Sequence, residues 1–268
     1  MRAVDYEFLF NIEEDFWWFV GMRRITDTIL ALQLRSSRLT VLDAGCGTGI
    51  NLLHFEKAGH AVFGFDYARE AVSAVQQRGF RKVVRASITD IPYSSDTFDL
   101  VYSFEVVDEV SDSDRSIHEL YRVLKPGGFL LLRLPAFDWL RSSHDTDIGT
   151  LHRYTVAEIE EKLKRAGFRI RRSTYANFLL FPVVGIRRFL KHVGIGGGTD
   201  TKPLPVGLRW LDPVFRMLLG LEARWIGWNL NLPFGLSAIC YAEKGVVSKR
   251  HSEEWSLRNH PGASRHPS

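Results

Sequence analysis

The sequence predicts an α/β fold in which helices cover both faces of a largely parallel β-sheet, and two observations support this class. Short apolar runs typical of buried strands alternate with amphipathic segments typical of helices from residue 37 to residue 176. The first apolar run leads directly into a glycine-rich loop and then into a helical segment. Strict alternation favours a doubly wound parallel sheet, because a crossover helix must connect one parallel strand to the next.

The positions of the elements follow from apolar runs, helix caps and glycines. Strands are predicted at residues 39–42, 61–65, 81–86, 97–102, 129–134, 168–175 and 235–242. Helices are predicted between them at residues 49–58, 68–78, 113–124 and 155–166. Thr155 and Glu158 match a capping box, and either Asp112 or Ser113 is expected to cap the preceding helix.

The chain is expected to divide into a core and three additions. The predicted parts are an N-terminal helical segment (1–36), the core (37–176), a helical cap (177–233), the final core strand (234–244) and a flexible tail (245–268). The N-terminal part is predicted as two helical segments that join near Gly21. In the cap, Asp212 is expected to cap a helix whose first turn contains Pro213.

The glycine-rich loop is the most informative motif. It follows Asp43 and carries Gly45, Gly47 and Gly49 at alternate positions. Glycines let the backbone approach a nucleoside-bearing cofactor, since no Cβ atom stands in the way. A dinucleotide fingerprint has its last glycine three residues after the second and directs a helix N-terminus at a pyrophosphate. The equal spacing and the preceding carboxylate instead favour a cofactor with an ammonium and a sulfonium group.

Together with the strand ends that follow, this loop makes the chain resemble the class I S-adenosylmethionine-dependent methyltransferases over residues 39–135. The resemblance implies a Rossmann-like, seven-stranded sheet with an antiparallel last strand and S-adenosyl-L-methionine as cofactor. The cap at 177–233 is then an insertion between strands 6 and 7. It assigns the cofactor contacts to Asp43, Gly45, Cys46, Gly47, Gly49, Asp66, Tyr67, Ser87, Ile88 and Glu105. Asp66 would accept both ribose hydroxyls. Many members carry aspartate where this chain has Ser87, whose oxygen can still accept from the adenine amino group.

The chain also resembles a bacterial subgroup of these enzymes. The matching stretches are Trp-Trp-Phe at 17–19, Trp-Leu-x-Ser-x-His-Asp at 139–145, Arg-Tyr-Thr at 153–155 and Leu-Pro-Phe-Gly-Leu-Ser at 232–237. Arg23 or Arg24 is a candidate for the cofactor carboxylate, and the sequence leaves both open.

Candidate catalytic residues follow strands 4 and 5. Family members often have Glu-His after strand 4, where this chain has Asp108-Glu109. Either Glu109 acts as the general base, or the reaction proceeds by alignment without one. A structural acidic pair at the start of a loop is the alternative. His144, after strand 5, is the second catalytic candidate.

Loops at the carboxyl ends of parallel strands border the ligand crevice, so their aromatic and polar residues are candidate substrate contacts. These candidates, with the N-terminal tryptophans, are Trp17, Trp18, Trp139, Asp145, Arg153 and Tyr154. The alternatives are core packing for Trp17 and Trp18 and a salt bridge between Asp145 and Arg153.

Composition narrows the function classes. The net charge is +4, but the basic residues do not interleave with a nucleic-acid module, and no nucleic-acid partner is expected. Cys46 and Cys240 form neither a disulfide framework nor a metal-spaced pair, so no metal and a cytoplasmic location are expected. Acidic residues interrupt any N-terminal signal sequence, and the longest apolar run, 176–186, is too short to span a bilayer.

The leading functional hypothesis is methyl transfer to oxygen or nitrogen, less readily to carbon, of a small, largely apolar, lipid-like or natural-product acceptor. The alternatives are a cofactor-binding protein that catalyses another reaction or serves as a partner subunit, and a nicotinamide-dependent oxidoreductase. Asp43 and the glycine spacing disfavour the oxidoreductase. The cap is expected to be a lid, with a homodimer interface or an anionic membrane surface as the alternative roles.

Overall fold

The computed structural model describes residues 3–36, 38–182, 185 and 210–246. In these ranges the strands are β1 (Thr40–Ala44), β2 (Ala61–Asp66), β3 (Val83–Arg85), β4 (Phe98–Phe104), β5 (Leu124–Pro135), β6 (Phe168–Ala176) and β7 (Ser237–Lys244). The helices are α1 (Ala3–Ile12), α2 (Trp17–Ile29), α3 (Ala31–Ser36), α4 (Ile50–Lys57), α5 (Arg69–Gln77), α6 (Ser113–Val123), α7 (Ser143–Ile148), α8 (Val156–Arg165) and α9 (Asp212–Gly227).

The strands form one sheet in the order β3-β2-β1-β4-β5-β7-β6. The strands β1 to β5 pair in parallel, whereas β7 is antiparallel to both β5 and β6. The predicted α/β class and the antiparallel last strand are therefore confirmed. The strand order reverses between β1 and β4, and in such sheets ligands bind at the carboxyl ends of the strands beside this point.

Apolar side chains cover both faces of the sheet, as the alternation of side chains along a strand requires. Tyr102 and Leu131 belong to the cluster that includes residues of α2 and α4. Val101 and Leu132 belong to the opposite cluster, which includes residues of α6 and α8. The sheet is thus a buried layer between two layers of helices.

Side-chain hydrogen bonds cap the N-termini of α6 and α8. The Arg115 amide donates to Asp112 at 2.9 Å, and Thr155 forms the reciprocal capping box with Glu158. Both predictions are confirmed. The helix α9 begins one residue earlier than predicted, because Asp212 is its first residue and Leu211 precedes it without a side-chain cap.

The N-terminal segment differs from the prediction, since it forms three helices and Gly21 lies inside α2. This glycine marks a close helix contact: a Cβ atom at Gly21 would overlap the side chain of Leu219 in α9. The local sequence gives no indication of a partner about 200 residues away, and a glycine between two helical patterns is equally typical of a junction.

The described part of the predicted cap packs on α2. Trp17 lies 4.8 Å from the ring of Phe215, and buried Glu222 accepts a hydrogen bond from the Leu179 amide at 2.9 Å. Residues 183–184 and 186–209 of the predicted cap lie outside the described residues, as does the tail beyond residue 246. In the part of the chain that is described, no helix is long and apolar enough to cross a membrane.

We expect Gly21→Ala to destabilise the protein by about 1–3 kcal/mol, because the new methyl group overpacks the contact between α2 and α9. Gly220→Ala is the matched control in the same helix pair, where the nearest atom to a new Cβ is an Arg24 guanidinium nitrogen at 3.4 Å. Chemical denaturation measures both variants. Equal stabilities would contradict the proposed helix contact.

Candidate active site

Buried carboxylates gather at the carboxyl edge of the sheet. Asp43 at the end of β1 is almost fully buried, and its Oδ2 atom has no hydrogen-bond partner among the described residues. Burial raises the pKa of Asp43 to about 8, and the nearby charge of Asp66 adds to the increase. Burial likewise raises the pKa of Asp66 above its ordinary value. With its pKa raised to about 8, Asp43 requires a cationic ligand to be fully charged at neutral pH.

Asp66 also fixes the glycine loop. Its Oδ2 atom accepts from the Gly47 amide and its Oδ1 atom accepts from the Ala68 amide, both at 2.9 Å. Gly47 has a φ of +51°, and a Cβ atom there would meet no heavy atom within 4 Å. The loop therefore turns tightly and leaves open space above Gly47, as a cofactor that lies against the backbone requires.

The N-terminal helices are bound to this loop through Arg78. Its guanidinium donates to the Thr48 carbonyl at 2.9 Å, to Glu13 at 2.7 Å and to Glu14 at 2.9 Å. Thr48 in turn donates a short hydrogen bond to Glu13. Sequence reasoning missed Glu13 and Arg78, because they are 65 residues apart and match no motif.

Tyr6 is a second residue that the sequence did not reveal. It is nearly buried on α1, and burial together with the charges of Asp66 and Glu109 raises the pKa of its phenol. The helix α1 therefore lies beside the carboxylate that is expected to bind ribose.

Of the two acidic residues after β4, Asp108 is buried and stabilises a loop, whereas Glu109 is exposed. Asp108 is buried, accepts from the Thr150 hydroxyl at 3.1 Å, and its backbone carbonyl accepts from the Leu151 amide at 2.7 Å. Burial and the charge of Glu105 raise the pKa of Asp108 to about 7. Glu109 is exposed to solvent, yet desolvation by neighbouring protein atoms and the charge of Asp108 raise its pKa to about 8.

The residues after β5 mainly build the loop. Asp145 is buried in the capping box of α7 and forms an ion pair with Arg153 at 2.6 Å. Arg153 also donates to the Ala136 carbonyl at 3.2 Å. The structure thus places this pair in the salt bridge that was the alternative to substrate binding. The backbone of His144 lies in α7, and its side chain lies outside the described residues.

The aromatic candidates differ in how deeply their side chains are buried. Trp17 and Tyr154 are buried in the two apolar clusters, so the structure places them in the core and corrects the expectation that they line the crevice. Trp18 is partly buried with its ring 5.2 Å from the Arg133 guanidinium. Trp139 and Tyr67 are 62% and 72% exposed.

The remaining predicted cofactor residues line the loop edges. Ser87 hydrogen-bonds to Thr89 at 2.8 Å, and Ile88 is buried beside it. Cys46 is also buried, which raises the pKa of its thiol and makes it a packing residue rather than a nucleophile. Among the described residues no cluster of metal-ligating side chains occurs.

The two arginines predicted as carboxylate partners contact other parts of the protein. Arg23 donates to the carbonyls of Glu13 and Glu14 after α1 at 2.9 and 2.7 Å, and Arg24 lines a groove between α2 and α9. Another buried cation near the carboxyl edge is Arg133 on β5, whose Nε atom lies 3.4 Å from Glu105. Sequence reasoning did not identify it.

Comparisons with known proteins agree with this geometry. Residues 42–132 match the family described as methyltransferase domain. The chain is 30% identical over 161 residues to a protein of Mycolicibacterium smegmatis described as a probable S-adenosylmethionine-dependent methyltransferase, covering 59% of this chain and 61% of that protein. It is 30% identical over 175 residues to the malonyl acyl-carrier-protein O-methyltransferase of Salmonella typhimurium, covering 63% and 69%.

The fold has solved counterparts as well. The methyltransferase solved in complex with the Haloferax volcanii Trm112 methyltransferase activator superposes with a TM-score of 0.58 at 19% identity, covering 92% of this chain and 95% of that chain. This similarity concerns the fold alone. The chain spans about three fifths of the length of its mycobacterial relatives. The chain belongs to the class I S-adenosylmethionine-dependent methyltransferases.

The cofactor of this family fits the residues present. The unpartnered Oδ2 atom of Asp43 offers a buried acceptor near the glycine loop, and Gly47 leaves the space that a Cβ atom would fill. Carboxylates at this edge of the sheet attract S-adenosyl-L-methionine, because the ammonium and sulfonium groups of this ligand are both cationic.

We expect cofactor binding to release protons. Since the pKa of Asp43 is about 8 in the free protein, this group is largely protonated at pH 6.5, and a cationic ligand favours its ionised form. The affinity for S-adenosyl-L-methionine should therefore rise about tenfold between pH 6.5 and 8.5 and then level off. Calorimetry in buffers of different ionisation enthalpy measures the released protons.

Asp43→Asn should weaken binding and flatten this pH dependence, while Asp90→Asn at an exposed position provides the control. A wild-type affinity that falls as the pH rises would contradict the expectation.

Proposed function

We propose that the protein transfers a methyl group from S-adenosyl-L-methionine to an oxygen or nitrogen atom of a small, largely apolar, lipid-like acceptor. The observation that carries this proposal is Glu109, a solvent-accessible carboxylate after β4 whose pKa is raised to about 8. A general base works best when its pKa lies near the operating pH. Glu109 therefore suits an acceptor hydroxyl or amine that must lose a proton.

The residues of the chain have separate tasks in this reaction. The bound cofactor supplies an electrophilic methyl group. Asp66 and the glycine loop position the adenosine end, and Asp43 provides negative charge near the amino-acid end. Glu109 would accept the proton of the acceptor. Alignment of this kind can contribute about 7–11 kcal/mol to catalysis, and a base adds about 10²- to 10⁴-fold.

An aromatic cluster supports an apolar acceptor. Phe137, Trp139 and Phe181 lie with ring centroids 5.9–6.1 Å apart after β5 and β6. Phe234 joins them, 5.0 Å from Phe181. Such a cluster excludes water and binds apolar groups. The relatives named as malonyl acyl-carrier-protein O-methyltransferases support oxygen as the acceptor atom.

A cytoplasmic location and a small-molecule partner complete the proposal. The helix α9 and the residues that flank it expose apolar side chains at Trp210, Val214, Met217, Leu221 and Trp228. A second copy of the chain or an anionic membrane surface is the alternative partner for this face. Mass spectrometry tests the reaction itself, since a methylated product gains one CH₂ unit, whereas another reaction type or a partner subunit gives no such gain.

We expect Glu109→Gln to lower turnover by about 10²- to 10⁴-fold and to leave cofactor affinity within a few-fold of wild type. Wild-type activity should rise with pH through about 8, because the base must be deprotonated, and the variant should lose this rise. S-adenosylhomocysteine release is measured against hydroxyl, amine and acyl-thioester acceptors.

Glu56→Gln, an exposed carboxylate on α4, controls for the loss of a charge. Unchanged turnover in Glu109→Gln would remove the base and leave alignment alone, as expected for an acceptor that is already ionised.

A further inference from the structure

Arg133 is a buried cation close to the carboxylates at the carboxyl edge of the sheet, and the proposed reaction does not use it. It lies near the carboxyl end of β5, opposite Phe104 of β4, and is 7% exposed. The charges of Glu105, Asp43 and Asp108 all act on it. An arginine in this position faces the same edge of the sheet as the glycine loop.

The hydrogen bonds of Arg133 are incomplete. Its Nε atom is buried without a hydrogen-bond partner in the described part of the chain, and the Glu105 carboxylate lies 3.4 Å away. The side chain of Glu105 is 36% exposed, so this ion pair is open on one side. Buried guanidinium groups elsewhere in the protein differ: Arg78 and Arg153 each donate to several acceptors at 2.6–3.2 Å.

Two aromatic rings hold the guanidinium in place. Its central carbon lies 4.3 Å from the ring centroid of Phe104 and 5.2 Å from that of Trp18. Stacking on rings fixes the plane of a guanidinium and leaves its N–H edge for hydrogen bonds. That edge matches a carboxylate, which can accept two parallel N–H bonds.

Glu105, the residue after Phe104, supports the same geometry. Glu105 has a φ of +59°, a left-handed conformation that is strained for a residue with a side chain. Its amide donates to the Arg133 carbonyl at 2.9 Å. This turn at the end of β4 places the Glu105 carboxylate beside the Arg133 guanidinium. Such a pair of opposite charges suits a ligand that carries both an ammonium and a carboxylate.

We propose that Arg133 binds a ligand carboxylate in the cleft, with Trp18 and Phe104 fixing its guanidinium. The proposal rests on the proposed function, which offers two sources of this group. The cofactor ends in an amino-acid carboxylate, and an acceptor of the malonyl type carries a free one. The chemistry at Arg133 is the same for both, and binding experiments separate them.

The first experiment compares S-adenosylhomocysteine with its decarboxylated analogue by calorimetry. If Arg133 binds the cofactor carboxylate, the wild-type protein prefers S-adenosylhomocysteine by about 10- to 100-fold, and Arg133→Gln loses this preference. Unchanged binding of the decarboxylated analogue shows that the variant is folded. Arg171→Gln removes an arginine ion pair with Glu243 on β7, away from the cleft, and should keep the wild-type ratio.

The second experiment compares malonyl-coenzyme A with its methyl ester at saturating S-adenosylhomocysteine. If the acceptor is the source, the wild-type protein prefers the free acid by about 10- to 100-fold and Arg133→Gln does not. The ratio in the first experiment is then the same in both proteins. Arg133→Lys, which keeps the charge without the planar fork, should show an intermediate loss in the same experiment.

Equal ratios in wild type and Arg133→Gln in both experiments would overturn the role of Arg133. If Arg133→Gln does not fold, equal affinities of wild type for both members of each ligand pair would overturn it as well. A wild-type protein that binds neither S-adenosylhomocysteine nor its analogue would instead refute the proposed function and the proposal with it.

Discussion

The burial of the Asp43 carboxylate beside the glycine loop is the constraint on which the rest of the site depends. A buried charge is strongly unfavourable, and this burial outweighs the nearby charge of Arg133, so the group holds its proton and its pKa rises to about 8. The same property selects the ligand, because only a cation restores the charged form without a large penalty. The neighbouring acids reinforce this selection. Burial and Asp43 together raise the pKa of Tyr102, which stands opposite Asp43 on β4.

The loop that carries this constraint is fixed from two sides. On one side, the Asp66 carboxylate accepts a hydrogen bond from the Gly47 amide. On the other, the Arg78 guanidinium donates to the Thr48 carbonyl and to the Glu13 carboxylate. The hydrogen bonds of Arg78 join the N-terminal segment to the glycine loop. A movement of α1 would therefore displace the loop through a network of charged hydrogen bonds. Buried Glu13 has a raised pKa because desolvation outweighs its bonds to Thr48 and Arg78. This network therefore binds the segment before β1 to the core by polar contacts as well as by packing.

The acceptor side is built differently. Its loops are stabilised by buried polar contacts, such as the ion pair of Asp145 with Arg153 and the hydrogen bond from Thr150 to Asp108. These polar side chains therefore already have partners within the protein. Glu109 and Trp139, by contrast, remain exposed to solvent. A polar residue in a loop near a site is thus more often part of the scaffold than its position along the chain suggests. The distinction depends on which side chains find partners within the loop.

The sequence by itself determined what is encoded locally. The strands, the Thr155–Glu158 capping box and the glycine loop between Asp43 and α4 are short-range patterns, because apolar periodicity and backbone geometry act over a few residues. Only the tertiary structure decided which distant residues meet. Gly21 lies against Leu219, Glu13 accepts a hydrogen bond from Arg78, and the Arg133 guanidinium lies near the rings of Trp18 and Phe104. These contacts join residues far apart in the chain, and no local pattern encodes them, since burial and partner are set by how the helices pack on the sheet.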